Sequence, residues 1–310
     1  MKKRIQTMII LAALLLSTVT GCQNGADNLS EATRDNTIRS NFEETEKTAE
    51  SEGAAETVDI EGEYDPATHM RYTLNDDGKS YSVCPAGLPD VVKELVFPGE
   101  YKGFPVTKID GWISEHSIET IIISEGIKEI LGGFGDCFNI KNIYIPSSVI
   151  HIDAGAFNSR HTMGGIPHFK KSNDIEKIVV AEGNPYYYVD GNCLIEKSSK
   201  KIILGCNSSV IPDDGSVKII GYAAFANCHF IETIILPKNI IEIEYAAFTN
   251  CKNLKQVYIT SSASTDEKIV NLSPEGVLGY DSEHVFHVPD AESAEIYSKV
   301  FGPYFEIGTP

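Results

Sequence analysis

No long run of Lys and Arg occurs in the 310 residues, and acidic side chains outnumber basic ones 44 to 26, for a formal charge of −18. Affinity for nucleic acid rests on cations that neutralise phosphates, so this composition sets nucleic acid aside as a partner. Cysteine is scarce too: seven residues are too few for a disulfide-built scaffold of this length. No apolar stretch reaches the roughly 20 residues that a helix needs to cross a bilayer. The phosphate-cradling glycine loop, the paired-histidine zinc helix and the serine nucleophile elbow are all missing. No Ser/His/Asp or Cys/His/Asn set assembles, so no catalysis, cofactor or metal is expected. Gly132, Gly133 and Gly135 are a lone glycine cluster inside a repeat and do not read as a cofactor loop. His284 and His287 lie three apart on an apparent strand and face opposite sides, while His161 and His168 flank a polar Gly164-Gly165 loop and read as solvated.

What is present begins with a positive Lys2-Lys3-Arg4 segment and an apolar run of nine residues from Met8 to Leu16. That run is too short to span and reads as a secretory signal. Val19-Thr20-Gly21-Cys22 then resembles the bacterial lipobox, an aliphatic residue and two small ones before a cysteine. The resemblance implies cleavage after Gly21, thioether lipidation of Cys22 and acylation of the new N-terminus, with palmitate the expected chain type. A mature protein held this way sits on the bacterial membrane or cell surface without crossing it, since each buried methylene contributes about 0.8 kcal/mol.

From Gln23 to Glu63, twelve acidic residues face three basic ones, and large apolar residues are limited to Leu29, Ile38, Phe42, Val58 and Ile60. Such a segment buries too little to offset chain entropy, and its self-repulsion extends it. Residues 22–63 therefore read as an acidic, disordered tether between lipid and folded region.

Beyond the tether the chain repeats itself. Apolar triads at i, i+3 and i+5 occur at Val92/Leu95/Phe97, Ile118/Ile121/Ile123, Ile140/Ile143/Ile145, Ile175/Ile178/Val180, Ile231/Ile234/Leu236 and Leu254/Val257/Ile259. Apolar pairs follow at Val106/Ile109, Ile127/Ile130, Val149/Ile152, Val217/Ile220 and Ile240/Ile243. A small residue and Phe come next, at Gly133-Phe134, Ala156-Phe157, Ala224-Phe225 and Ala247-Phe248, with Cys137, Cys228 or Cys251 three positions on. Phe134 to Phe157 and Phe225 to Phe248 are each 23 residues. A unit this short cannot bury its own apolar face, so neighbours must stack. Residues i+3 and i+5 share one face of a strand, β-branched Ile and Val suit it, and Pro98, Pro146 and Pro237 end it. An amphipathic helix fails because the pattern restarts every 22 or 23 positions with Pro and Gly between. Fold class follows: a β-rich solenoid of about 23-residue coils with little helix.

These positions resemble the BspA-type leucine-rich repeats of bacterial surface proteins, most closely between Gly221 and Pro237. The resemblance covers roughly residues 64 to 310. It implies an N-terminal hairpin cap over 64–91, a solenoid over 92–260 with insertions near 160–173 and 184–211, and a strand-helix cap over 261–310. Arg71–Val83 corresponds to the cap hairpin, Asn184–Ile195 to an inserted hairpin and Val285–Pro289 to the closing strand. Two departures, Arg160 in a cysteine position and a four-residue rather than five-residue step from Ile130 to Phe134, predict distorted coils. For function it implies surface display, adhesion or ligand binding without catalysis.

The shared register of Cys137, Cys228 and Cys251 predicts buried free thiols, since side chains pointing in parallel disfavour the disulfide dihedral. Pairing of Cys193 with Cys206 stays open. Tyr186, Tyr187 and Tyr188 are the candidate ligand contacts, because exposed aromatic rings anchor partners and sugars; the competing reading is that they brace the inserted hairpin. Alternation along a strand predicts that Tyr187 faces solvent, away from Tyr186 and Tyr188. The expected function is noncatalytic recognition or adhesion of an extracellular protein or glycan by a lipid-anchored solenoid. A cell-envelope scaffold and a carrier subunit for a separately encoded enzyme are the alternatives.

Overall fold

The computed structural model describes residues 62–111, 113, 117–134, 137, 139–154, 156–157, 162–163, 166–167, 175–262, 285–301, 305–308 and 310. Gly21, Cys22, His161, His168, Arg160, Gly135 and His284 lie outside them. The described residues fall in the compact unit Ile60–Pro310.

The first strands are antiparallel. β1 (Glu63–Asp65) pairs with β2 (Met70–Leu74), and β2 pairs with β3 (Tyr81–Pro85). The β2–β3 link works as a turn because the Asp77 carboxylate accepts from the Lys79 and Ser80 N–H groups, which holds its pKa below the usual range. Tyr72 and Tyr101 stack at 3.6 Å between centroids and close the end of the core.

From β3 onward the pairing between coils turns parallel, apart from one short antiparallel pair, Glu100–Tyr101 with Phe104–Ile109. β4 (Glu94–Phe97), β5 (Glu100–Tyr101), β6 (Phe104–Ile109), β7 (Thr120–Ile123), β8 (Glu129–Ile130), β9 (Asn142–Ile145) and β10 (His151–Ile152) come from the first coils. Each regular coil gives a four-residue strand to one sheet and a two-residue strand to another. β3, β6, β8 and β10 run side by side in one. In the other, β4, β7 and β9 are followed by β13 (Lys177–Val180), after a small hairpin of β11 (Thr162–Met163) and β12 (Ile166–Pro167). Register gives the period directly: Ile121 lies beside Ile143 and Ile130 beside Ile152, 22 residues apart in each case. Ile143 beside Ile178 spans 35, so the extra residues of the 160–173 region lie inside that coil.

An antiparallel insertion follows: β14 (Tyr187–Asp190), β15 (Cys193–Glu196) and β16 (Lys201–Leu204). Parallel coils then resume with β17 (Ile219–Ile220), β18 (Thr233–Leu236), β19 (Glu242–Ile243) and β20 (Gln256–Ile259). Ile220 beside Ile243 and Ile234 beside Val257 restore a 23-residue period. β21 (Val285–Val288), helix α1 (Ala291–Phe301) and β22 (Phe305–Ile307) complete the chain, with β21 and β22 parallel to β20. Asp290 caps α1 by accepting the Ser293 N–H at 2.7 Å. No helix among the described residues is long and apolar enough to cross a membrane.

The core is the repeat pattern made solid. Every member of the apolar pairs is buried, as are the triad residues apart from half-buried Val92 and Val180. Burying each such side chain contributes about 1.5–3 kcal/mol. Phe225 stacks on Phe248 at 5.2 Å and Phe134 on Phe157 at 5.3 Å. The small residue before each Phe has a backbone reason. The Phe134 N–H donates to the Ala156 carbonyl and the Phe225 N–H to the Ala247 carbonyl, so successive corners bond coil to coil. Backbones this close leave little room: a Cβ on Gly133, which sits at φ +106°, would lie 2.3 Å from the Gly111 carbonyl oxygen. That glycine takes up the short step from Ile130, and Phe134 stays buried in the stack.

Candidate recognition surface

Inward residues of β4, β7, β9 and β13 fill the core, so their outward residues form two rows across the parallel sheet. Glu94, Thr120, Asn142 and Lys177 are in register in one row, and Val96, Ile122, Tyr144 and Val179 in the other. Strands in a sheet are about 4.8 Å apart, which makes the second row a continuous apolar ladder. Val96 is 45% exposed, and Ile122, Tyr144 and Val179 are half-buried. Lys177 Nζ stands 5.9 Å from the centroid of the Tyr144 ring. At the start of β7, Glu119 bridges Lys93 at 2.8 Å and Lys141 at 2.9 Å. Hydrogen bonds from those two ammonium groups pull its carboxyl down to about 2. The ladder therefore has a fixed, largely neutralised flank. At its far end Val179 forms one wall of a groove of about 310 Å³, shared with Asn184, Tyr188 and Lys197.

The three candidate tyrosines separate. Tyr186 precedes β14 and is 45% exposed, whereas Tyr187 is 1% exposed. The expectation that Tyr187 faces solvent is corrected. Its hydroxyl accepts the Ile152 N–H at 2.9 Å on the open edge of β10, and burial pushes its pKa up to about 12. Alternation itself holds: Tyr187 packs into the core of the first coils and Tyr188 against that of the later ones. What differs is that both faces of the hairpin are covered. The same split occurs in β15, where Leu194 joins the first core and Ile195 the second. Asn184 locks the hairpin, its side-chain amide donating to the Pro146 and Val149 carbonyls and its oxygen accepting from the Tyr186 and Tyr187 N–H groups. Tyr188 and the buried Tyr187 both line the groove at the end of the ladder, Tyr188 being the more exposed of the two, and Tyr186 stands in solvent beside Asn184.

Cys84, Cys137, Cys193, Cys206, Cys228 and Cys251 are all free thiols. Cys137, Cys228 and Cys251 are buried as interior fillers, and burial pushes Cys251 up to about 12 and holds Cys228 well above its ordinary value. Such thiols are poor nucleophiles. His287 is packed on the Tyr258 ring at 4.3 Å, with its Nε2 hydrogen-bonded to Gln256. Among the described residues no group of three His, Cys, Asp or Glu side chains is placed to hold a metal.

The apolar ladder was not singled out in the sequence, although its signal is there. Each triad has a further apolar residue at i+4: Val96, Ile122, Tyr144, Val179, and in the later coils Ile235 and Tyr258. A residue between two inward strand positions must point outward, so six apolar residues there mark a surface rather than a core.

Four-residue parallel strands, coils of 22 or 23 residues and an aliphatic interior with stacked Phe define a leucine-rich-repeat solenoid. The BspA type leucine rich repeat region matches in six copies over residues 106–184 and 194–269, half of the chain, and the chain belongs to that family. Among solved structures, it is similar to the T. pallidum leucine-rich repeat protein, at 16% identity, with 80% of this chain and 100% of that one covered and a TM-score of 0.36. A leucine-rich repeat protein from Eubacterium ventriosum is 14% identical over 74% of this chain and 79% of its own, with a TM-score of 0.35. The pneumococcal vaccine antigen PcpA is 12% identical over 80% of this chain and 99% of its own, with a TM-score of 0.30. A search of the curated proteins gives no match.

Proposed function

We propose that this chain is a noncatalytic recognition or adhesion protein, held by lipid on Cys22 at the bacterial cell surface, that binds an extracellular protein or glycan along its solenoid. The observation that carries this reading is the outward ladder of Val96, Ile122, Tyr144 and Val179, which runs into the groove walled by Tyr188. Rigid strands present it, and apolar and aromatic side chains on fixed backbones bind with little entropic cost. Tyr188 is the aromatic contact in the groove, and Tyr186 is a contact at its rim. Tyr187 is structural. The acidic residues 22–63 hold the repeats off the lipid surface.

A glycan array and a pull-down with the full chain identify the ligand. Capture of one glycan class or one surface protein is the expected outcome, and catalytic turnover by the chain alone would contradict it. Anchoring is tested separately. Cys22→Ala abolishes incorporation of a palmitate analogue and moves the chain to the aqueous phase on detergent partitioning. Equal label in wild type and variant would remove the lipid anchor.

A further inference from the structure

The four-residue strands do not form one unbroken ladder. Between β13 and β18 the chain runs through the inserted hairpin, and Cys206–Pro212 forms no strand. Its backbone is committed elsewhere: the Val210 N–H donates to the Gly191 carbonyl at 2.8 Å, and Ser209 Oγ donates to the Asn192 carbonyl at 2.8 Å. Gly191 sits at φ +53°, and a Cβ there would lie 2.0 Å from the Val210 carbonyl oxygen, so the two segments are tightly fitted.

The two strand edges left by this interruption differ. The β13 edge is closed by Asn192, whose side chain accepts the Ile178 N–H at 3.1 Å and donates to the Glu176 carbonyl at 3.0 Å. The β18 edge has no such substitute among the described residues. β18 is the end strand of its sheet and pairs with β20 alone. Glu232 and Leu236 direct their carbonyls to β20, accepting from Gln256 and Thr260, so Ile234 bonds that side as well. Thr233 and Ile235 therefore direct their N–H and C=O groups the other way. The corresponding outward-facing residues Thr120, Asn142 and Lys177 donate to the preceding coil in this manner. At Thr233 and Ile235 the neighbouring space is instead a groove of about 830 Å³, walled on its far side by Gly191 and Ser209–Asp214.

The groove also specifies side chains. Val210 is 70% exposed and Ile235 46% exposed, giving apolar walls. Among the described lining residues, Asp190, Asp213 and Asp214 stand against one cation, Lys238. We propose that this groove is a docking site for an extended, basic segment of another protein, which adds a strand to the free edge of β18 with apolar side chains against Val210 and Ile235 and Lys or Arg beside the aspartates. Two N–H and C=O pairs at strand spacing accept an extended backbone, the mode of strand addition to an open sheet edge. The chain's own Pro310 also lines the groove, and charge disfavours two other occupants: residues 23–63 carry twelve acids and three bases, and a second copy carries −18. This site is separate from the Val96–Val179 ladder and stands without it.

The test uses the full chain and a labelled, end-blocked heptapeptide of alternating Lys and Val, followed by fluorescence anisotropy. Replacing Lys by Glu in the peptide weakens binding at least about tenfold, and so does N-methylation of the peptide's Val residues, which removes ladder donors. Ile235→Pro deletes the outward N–H at a position where an edge strand tolerates proline, and it also lowers affinity about tenfold. The methylated peptide reads the ladder on wild-type protein, so a folding defect in the variant leaves the test intact. Equal affinity for the Lys and Glu peptides, or for the methylated and unmethylated ones, overturns the proposal. So does strong exchange protection of the Ile235 amide in the free chain, because the edge is then already occupied by this chain or by a second copy.

Discussion

Phe225→Ala lowers stability by about 3–5 kcal/mol, the range for removing a large aromatic ring from a packed core. The ring has no exposure and lies on Phe248 at 5.2 Å. On its other side it fills the space above Gly205, where a Cβ would come within 2.2 Å of the ring. Both neighbours are fixed by coil-to-coil bonds, Gly205 N–H to Ala224 and Phe225 N–H to Ala247, so the corner cannot collapse into the vacated volume. Exposed Lys218→Ala, one coil face away, stays within about 0.5 kcal/mol. Chemical denaturation of both variants decides it. Similar midpoints would mean that the Phe stack does not carry the solenoid.

Asn184→Ala is expected to cost about 3 kcal/mol, because four partners lose their bond at once and two of them are carbonyls facing a buried site. The side chain is 2% exposed and uses its full capacity, two donors and two acceptor bonds. It joins the turn after β9 to the start of the inserted hairpin, so its loss frees the hairpin from the first coils. Tyr187→Phe, which only orphans the Ile152 N–H, costs about 1 kcal/mol. Tyr186→Ala leaves the midpoint in place. Thermal melts of the three variants rank them, and an Asn184→Ala midpoint equal to that of Tyr186→Ala would contradict the junction.

Much of this architecture is legible in the sequence. The period, the inward triads and pairs, the Phe stack and the buried cysteines follow from spacing, because each coil repeats one set of inward positions. The caps were legible by resemblance, and the cap hairpin, closing strand and helix are found at β2–β3, β21 and α1. The side of Tyr187 was not legible. Alternation states that neighbours point apart, and it cannot state whether the second face is covered; here a second core covers it. The interrupted ladder was hidden for a similar reason. Val210-Ile211-Pro212 reads like the end of a triad, and only the bonds to Gly191 and Asn192 divert it from strand pairing. The outward ladder was visible at i+4 but was overshadowed by the inward residues on either side.

Recognition along that ladder turns on Tyr144 at its midpoint, held by Ile122 and Val179 in register and by Lys177 above the ring. The direct measurement is the affinity of full-length wild type and Tyr144→Ala for the ligand captured in the array or pull-down, with melting midpoints taken alongside. A fall of at least about tenfold at an unchanged midpoint is predicted, as for an aromatic anchor at the centre of an interface. Equal affinity for the two proteins would place recognition elsewhere on the molecule and contradict the account.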